Sequence, residues 1–230
     1  FGKVKVTTWD KNEIKVDIHI EVSSDDKEVA ERSFERIDVK DCQEGKNINF
    51  ETILSDKKGE KRDCKNCNTN MSIDYDVHMP ANNPLNIENS FGRTEIPDYN
   101  GPVSLISKFG SLTAGKLSKP EKVVVEFGEA DLKSLENIDL TFKYSSITIG
   151  NLSGNCKLKL SFCSYSQINL DNKLTSLSVD DSYSSVHLVP ADNLSATYSI
   201  KTSYGSLIDK TSFGIKRTDT PDQYGPDLNK

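Results

Sequence analysis

Leu85-Asn86-Ile87-Glu88-Asn89-Ser90-Phe91-Gly92 is the phrase on which the reading of this chain turns. It is an apolar-x-apolar strand closed by an aromatic residue and a small one, and a second apolar-x-apolar strand follows it. The aromatic-small pair returns as Phe109-Gly110, Phe127-Gly128, Tyr144-Ser145, Tyr165-Ser166, Tyr183-Ser184 and Tyr204-Gly205, at steps of 18, 18, 17, 21, 18 and 21 residues. A short, nearly constant period marks a solenoid, in which no repeat can bury its apolar side alone and stacked neighbours share one core. Phe1-Gly2-Lys3-Val4-Lys5-Val6 has the same form and reads as an eighth copy, parted from the others by an insertion that ends near Leu85.

Within each phrase the parity of the side chains can be followed. Leu85, Ile87 and Phe91 share one face, as do Val103, Leu105 and Phe109, then Val123, Val125 and Phe127. Ile138, Leu140, Phe142 and Tyr144 agree, and so do Leu177, Val179 and Tyr183. After each Gly or Ser the phase slips by one residue, which turns Leu112 and Ala114, Ala130 and Leu132, Ile147 and Ile149, and Val186 and Leu188 inward. Such a slip is what a bend between two strands of one coil requires. Glycine suits the bend because it accepts positive φ, whereas Ser145, Ser166 and Ser184 imply that a small side chain is enough. Strands of neighbouring coils lie about 4.8 Å apart, so the aromatic residues are expected to stack as an inward or corner column. Asn89, Ser107, Asp181 and Thr202 form a second such column two residues earlier.

Before the repeats, Ile14, Val16, Ile18, Ile20 and Val22 alternate with polar residues and predict a half-buried strand. Ser24-Asp25-Asp26 offers an N-cap to a helix over Lys27 to Arg36, where Val29, Ala30, Phe34 and Ile37 recur at helical spacing. Strands follow around Ile48 to Leu54 and from Met71 to Met79, with a charged loop between them. The fold predicted is all-β: a right-handed parallel β-helix of about seven rungs with an N-terminal β-rich cap containing one helix. The first rung and cap occupy residues 1–82 and the β-helix 83–212. A partial last rung and polar tail, opening with Phe213-Gly214-Ile215, occupy 213–230.

Apolar residues make up 35% and charged residues 28% of the chain, which suits the thin interior of a solenoid. The net charge of −6 and the lack of a long Lys/Arg run exclude a partner held by its phosphate backbone, so no nucleic acid is expected. No apolar run is long enough for a transmembrane helix. The chain begins on a strand phrase without Met, which points to a mature or trimmed chain whose targeting segment has been removed. Cys64-Lys65-Asn66-Cys67 has three readings: a disulfide between Cys64 and Cys67 pinning a loop, free or distantly paired thiols, and a redox or zinc site. Zinc would need two further ligands, and no second CxxC or His pair stands nearby. Cys156 and Cys163 read as small buried thiols.

No cofactor and no metal are expected. There is no phosphate loop, nucleophile elbow or HExxH, and neither Asp25-Asp26 nor Asp180-Asp181 has the spacing of a calcium loop. His19 and His78 read as surface residues. Glycoside cleavage needs two carboxylates flanking the scissile bond, and the nearest approach to that is Asp180 and Asp181 with His187, and Lys216-Arg217 farther on. Asp181 falls in the inward column and His187 points outward, so solvated side chains and a structural Asp are the better reading and no catalytic residue is assigned.

Several phrases together resemble a known family. They are Phe1-Gly2-Lys3-Val4-Lys5-Val6 with Trp9-Asp10, Tyr75-Asp76-Val77-His78-Met79-Pro80, Leu85 to Gly92, Leu188-Val189-Pro190 and Thr202-Ser203-Tyr204-Gly205. In order and spacing, over nearly the whole chain, they are similar to the bacterial adhesin-like proteins of unknown function that form a single-stranded parallel β-helix. That resemblance implies a secreted, periplasmic or surface-exposed protein that binds a glycan, a surface protein or another copy of itself, and it carries over no catalytic residue. Two other readings stand beside it: a pectinase-like polysaccharide lyase or hydrolase, and an envelope lipid-binding or stress-sensing protein.

Overall fold

Alternating apolar residues become strands almost everywhere they occur in a computed structural model that describes residues 2–55, 68–195, 206 and 208–211. In chain order the elements are β1 (Lys3–Trp9), β2 (Lys15–Ser24), α1 (Lys27–Glu35), β3 (Ile37–Glu44), β4 (Asn47–Leu54), β5 (Thr69–Pro80), β6 (Leu85–Ser90) and β7 (Arg93–Ile96). There follow β8 (Tyr99–Lys108), β9 (Ser111–Glu126), β10 (Glu129–Glu136), β11 (Asp139–Lys143), β12 (Ser146–Ser161), β13 (Tyr165–Ser182) and β14 (Val186–Pro190). The chain groups into two compact units, Phe1–Leu194 and Ser195–Lys230. In the second, Asp209 Oδ1 accepts from the backbone N–H and the hydroxyl of Thr211 at 2.8 and 2.7 Å, an Asx-type turn. Everything else below concerns the first unit.

Twelve strands form one sheet, with a path β14-β13-β12-β10-β9-β7-β1-β5-β2 and with β6, β8 and β11 completing the coils. Every pairing in it is parallel except β2 with β5. The predicted all-β parallel β-helix is therefore the fold, with about six coils among the described residues where about seven were expected over the whole chain. The register shows why the sequence winds this way. Leu112, Ala130 and Ile147 stack in line, and so do Ala114, Leu132, Ile149 and Ile168. On the returning strands Leu105, Val123, Leu140 and Leu158 form a third buried column, and Val125, Phe142 and Leu160 a fourth. Each coil thus supplies a few apolar side chains, and only stacking removes them from water. Val186 and Leu188 keep the predicted register with Ser166 and Ile168 but are half-buried and exposed at this end of the described stack.

β1 lies inside the stack, between β5 and β7, as a first-rung strand should. β2 runs antiparallel along β5 and occupies the edge that β5 would otherwise present. α1 follows against β2, with Asp26 as its N-cap: Oδ1 accepts from the N–H groups of Glu28 and Val29 at 2.8 and 3.3 Å. The helix ends one residue early, because Arg36 is its C-cap, and Ile37, which continues the helical spacing, opens β3 instead. β3 was not legible, since only Ile37 and Val39 alternate before the polar Asp41-Cys42-Gln43-Glu44. Pairing with β4 makes it a strand, in a separate hairpin closed at Gly45, whose φ is 62°. The hydroxyls of Thr52 and Tyr75 hydrogen-bond and tie this hairpin to the main sheet.

At the second bend of each coil the buried column is Tyr99, Leu117, Leu135, Leu152 and Leu170. Tyr99 is fully buried and its hydroxyl donates to Asn83 O at 2.6 Å. Burial pushes its phenol up to about 12. The folded chain therefore holds this proton more tightly than the unfolded chain, where tyrosine ionises near 10. The stability tied to Tyr99 is whole below about pH 10 and is lost as pH rises towards 12. Denaturant titrations from neutral to alkaline pH should show Tyr99→Phe about 1 kcal/mol less stable at neutral pH and with a shallower alkaline loss than the parent. Parallel curves across the alkaline range would refute this.

Candidate functional site: an aromatic corner on the outside of the coils

The corner aromatic residues of successive coils are Phe91, Phe109, Phe127, Tyr144, Phe162 and Tyr183, all in the left-handed region with φ between 50° and 63°. Their rings stack with centroids 4.9, 4.9, 4.7, 5.0 and 5.1 Å apart and planes within 7° of parallel. The first five rings are 47–50% exposed and Tyr183 is 86% exposed. The column is real but lies on the outside. Parity is interrupted at the corner itself, because a left-handed residue turns its side chain away from the face held by the residue two before it.

Two further expectations change. Positive φ belongs to the aromatic residue and not to the small residue after it; among the described glycines only Gly45 and Gly154 have it. The fifth ring is Phe162, followed by Cys163, and not Tyr165 followed by Ser166, so the described steps are 18, 18, 17, 18 and 21. One extra residue, Ser164, sets Tyr165 opposite Ser146 and Ser166 opposite Ile147. Ser166 thereby sits fully buried in an apolar column, with no hydrogen-bond partner for Oγ. Tyr165 points outward, its hydroxyl 2.6 Å from Gln167 Oε1 and its ring tilted against His187 at 5.8 Å. Tyr204-Gly205 and the Cys64–Cys67 pair lie outside the described residues.

The residue after each ring explains the arrangement. A Cβ on Gly92 would lie 1.8 Å from Gly2 O, one on Gly110 1.9 Å from Gly92 O, and one on Gly128 1.9 Å from Gly110 O. The main chains thus approach as closely as glycine allows, and the coils bond there in both directions. Ser111 N donates to Gly92 O at 3.1 Å and Glu129 N to Gly110 O at 3.0 Å, while Phe109 N donates to Glu126 O at 2.9 Å. Farther along, Ser145 is buried and its hydroxyl donates to Lys143 O at 2.7 Å, and Cys163 N donates to Ser184 Oγ at 3.0 Å. The left-handed conformation costs a non-glycine residue roughly 1–2 kcal/mol. One ring stack contributes about 0.5–1.5 kcal/mol, and half-burial of a Phe adds about 1 kcal/mol. Stacking and burial together, about 1.5–2.5 kcal/mol, therefore offset the strain.

Beside the rings runs a shallow groove of about 470 Å³. It passes three consecutive triads, Phe91-Gly92-Arg93, Phe109-Gly110-Ser111 and Phe127-Gly128-Glu129. On the far side of the ring column Lys108 pairs with Glu88 at 3.0 Å and Lys143 with Glu126 at 2.8 Å. On the groove side Glu95 meets Lys3 at 2.9 Å and Arg93 at 3.5 Å. The hydrogen bond from Lys3, helped by Arg93, holds the Glu95 carboxyl below its usual range against the opposing effect of burial. A second hollow, about 190 Å³, lies at the second bends among Lys116, Ser118, Glu136, Asn151, Asp171 and Lys173.

Asp180 and Asp181 are exposed near the end of β13, opposite Lys159 and Leu160. Asp181 keeps the register of the inward column, with Leu160, but its side chain is exposed. His187 is exposed on β14, on the other side of the Tyr183 corner, with Ser185 Oγ 3.5 Å away. The structure does not bring these three into one cluster, and Lys216-Arg217 lies outside the described residues. Among the described residues no group of three or more His, Cys, Asp or Glu could hold a metal ion, and no helix is long and apolar enough to cross a membrane. Cys156 is buried, its thiol donating to Ser153 O at 3.1 Å and pushed up by burial, so it packs as an inert small side chain. Comparison with protein-family models, with curated proteins and with solved structures finds no match.

The corner permits two checks by denaturant unfolding. Gly110→Ala should cost about 3 kcal/mol, because its Cβ meets backbone and not a movable side chain. Phe127→Gly should be roughly 1 kcal/mol more stable than Phe127→Ala, because only glycine is released from the left-handed penalty. An alanine variant as stable as the glycine one would mean that the corner is unstrained.

Proposed function

We propose that this chain is a non-catalytic binding module whose contact surface is the aromatic corner. In this reading it is a secreted, periplasmic or cell-surface protein of the kind its resemblance to bacterial adhesin-like β-helices implies. The supporting observation is the strip itself: six rings in one unbroken column, each at least 47% exposed, none of them needed to fill the interior. Contiguous exposed apolar surface on a folded chain marks a place of contact with something else. The rings spend their faces on one another and offer edges outward. A sugar packs on a free ring face, whereas a strip of ring edges beside a backbone-floored groove suits a protein surface, so a protein partner is favoured over a glycan.

The test uses Phe109→Asn with Phe127→Asn, since asparagine tolerates the left-handed region and removes the rings while sparing the bend. Binding to proteins of bacterial envelope fractions should weaken about tenfold or more, as expected when anchor side chains are lost, and binding to glycan arrays in preference to these proteins would overturn the choice of a protein partner. Binding that survives unchanged would remove the corner as the contact surface. Release of new reducing ends or unsaturated products from polygalacturonate would overturn the non-catalytic reading.

A further inference from the structure

Arg93, Ser111 and Glu129 occupy equivalent positions in three consecutive coils, each next to a glycine that follows a phenylalanine. The groove is therefore Phe-Gly-Arg, Phe-Gly-Ser and Phe-Gly-Glu in order along the stack. A two-fold axis through the middle triad exchanges the first with the last: Arg93 comes opposite Glu129, Phe91 opposite Phe127, and Ser111 and Phe109 opposite themselves. Arg93 and Glu129 are two coil spacings apart, roughly 10 Å, and an axis midway between them brings both pairs together at once. Resting on the reading of the corner as a contact surface, we propose that its partner is a second copy of this chain, docked antiparallel across this groove.

The surrounding charge supports that orientation. Within two coils of the middle triad, one end of the groove side holds Lys3, Lys5, Arg93 and Glu95, three cations and one carboxylate, a net of two positive charges, with Asp74 and Asp76 lying one coil farther out. The other end holds Glu129 and Asp131, two negative charges. The antiparallel arrangement sets each end against its opposite. A parallel one about the stack direction would bring each end against its own kind. In the row that holds Arg93 and Glu129, Lys3 falls opposite Ser146, so no like charges meet there. In the next row Glu95 falls opposite Asp131, but Lys3, 2.9 Å from Glu95, already neutralises it and leaves Arg93 for Glu129. Arg93 retains 64% of its side-chain exposure, and among the described residues Glu129 is in no ion pair. A self-complementary patch of this kind closes as a two-fold dimer and does not propagate.

Sedimentation equilibrium over a concentration series tests the proposal. The parent chain should dimerise, and Arg93→Glu and Glu129→Arg should each weaken the dimer about tenfold or more. Mixed together, the two single variants should form a heterodimer tighter than either homodimer, because both cross pairs are then opposite in sign. The double variant carrying both reversals should dimerise like the parent. Circular dichroism of each variant checks that the exposed substitutions leave the fold intact. A parent chain that stays monomeric, or single variants whose association neither falls alone nor recovers on mixing, would overturn the dimer. Loss of envelope binding on removing the rings would in that case leave the corner as a contact surface for a different protein, so the two readings fail separately.

Discussion

Backbone meets backbone at the corner, where the carbonyl oxygen of one glycine lies where a Cβ of the next would be. Parallel coils can come this near only if the residue there has no side chain or a small one that folds back on its own strand, as Ser145 does onto the carbonyl of Lys143. The residue before it must then make the whole turn, and it does so in the left-handed region. That conformation directs its side chain outward, where an identical neighbour lies one coil above and below. A large flat ring is the side chain that gains most from such neighbours. The exterior aromatic column is thus a consequence of the glycine contact, and the groove beside it is floored by the same backbone.

The interior is less demanding than the corner. Its columns accept Leu, Ile, Val, Ala, Phe and Tyr in the same register, and even Ser107 and Ser166, whose buried hydroxyls have no partner. An unsatisfied buried hydroxyl costs about 1–3 kcal/mol, yet the stack absorbs two of them because each coil is braced by the one above and the one below. A repeat with loose interior requirements and a strict corner can change its outward residues freely. In the binding reading proposed above, specificity falls to the outward positions beside the rings, where Arg93, Ser111 and Glu129 differ while Phe and Gly recur.

Much of this was legible because stacking makes the chain repeat itself. The alternation of Val16, Ile18 and Ile20, the cap at Asp26 and the kinship of Gly2 with the later corners each have a local cause and appear in the structure as read. Ile37 misled because it continues the helical spacing, while the strand it opens depends on a hairpin partner ten or more residues away. Phe162 was hidden by Tyr165-Ser166, which satisfies the same aromatic-small pattern. Only the register with Tyr144 and Tyr183 shows that Phe162 turns the corner and that Cys163 is its small residue. Asp180, Asp181 and His187 looked near one another in the chain, but the Tyr183 corner divides them between two sides of a coil.

By itself the sequence determined that the chain is a parallel β solenoid and, among the described residues, which aromatic-small pairs mark its corners in all but one coil, because period and alternation are properties of the chain alone. It also held the order Arg, Ser, Glu after successive glycines. Only the tertiary structure decided that the rings stand outside. The direction of a side chain at a bend depends on the sign of φ there, and that sign is imposed by the contact between one coil's backbone and the next.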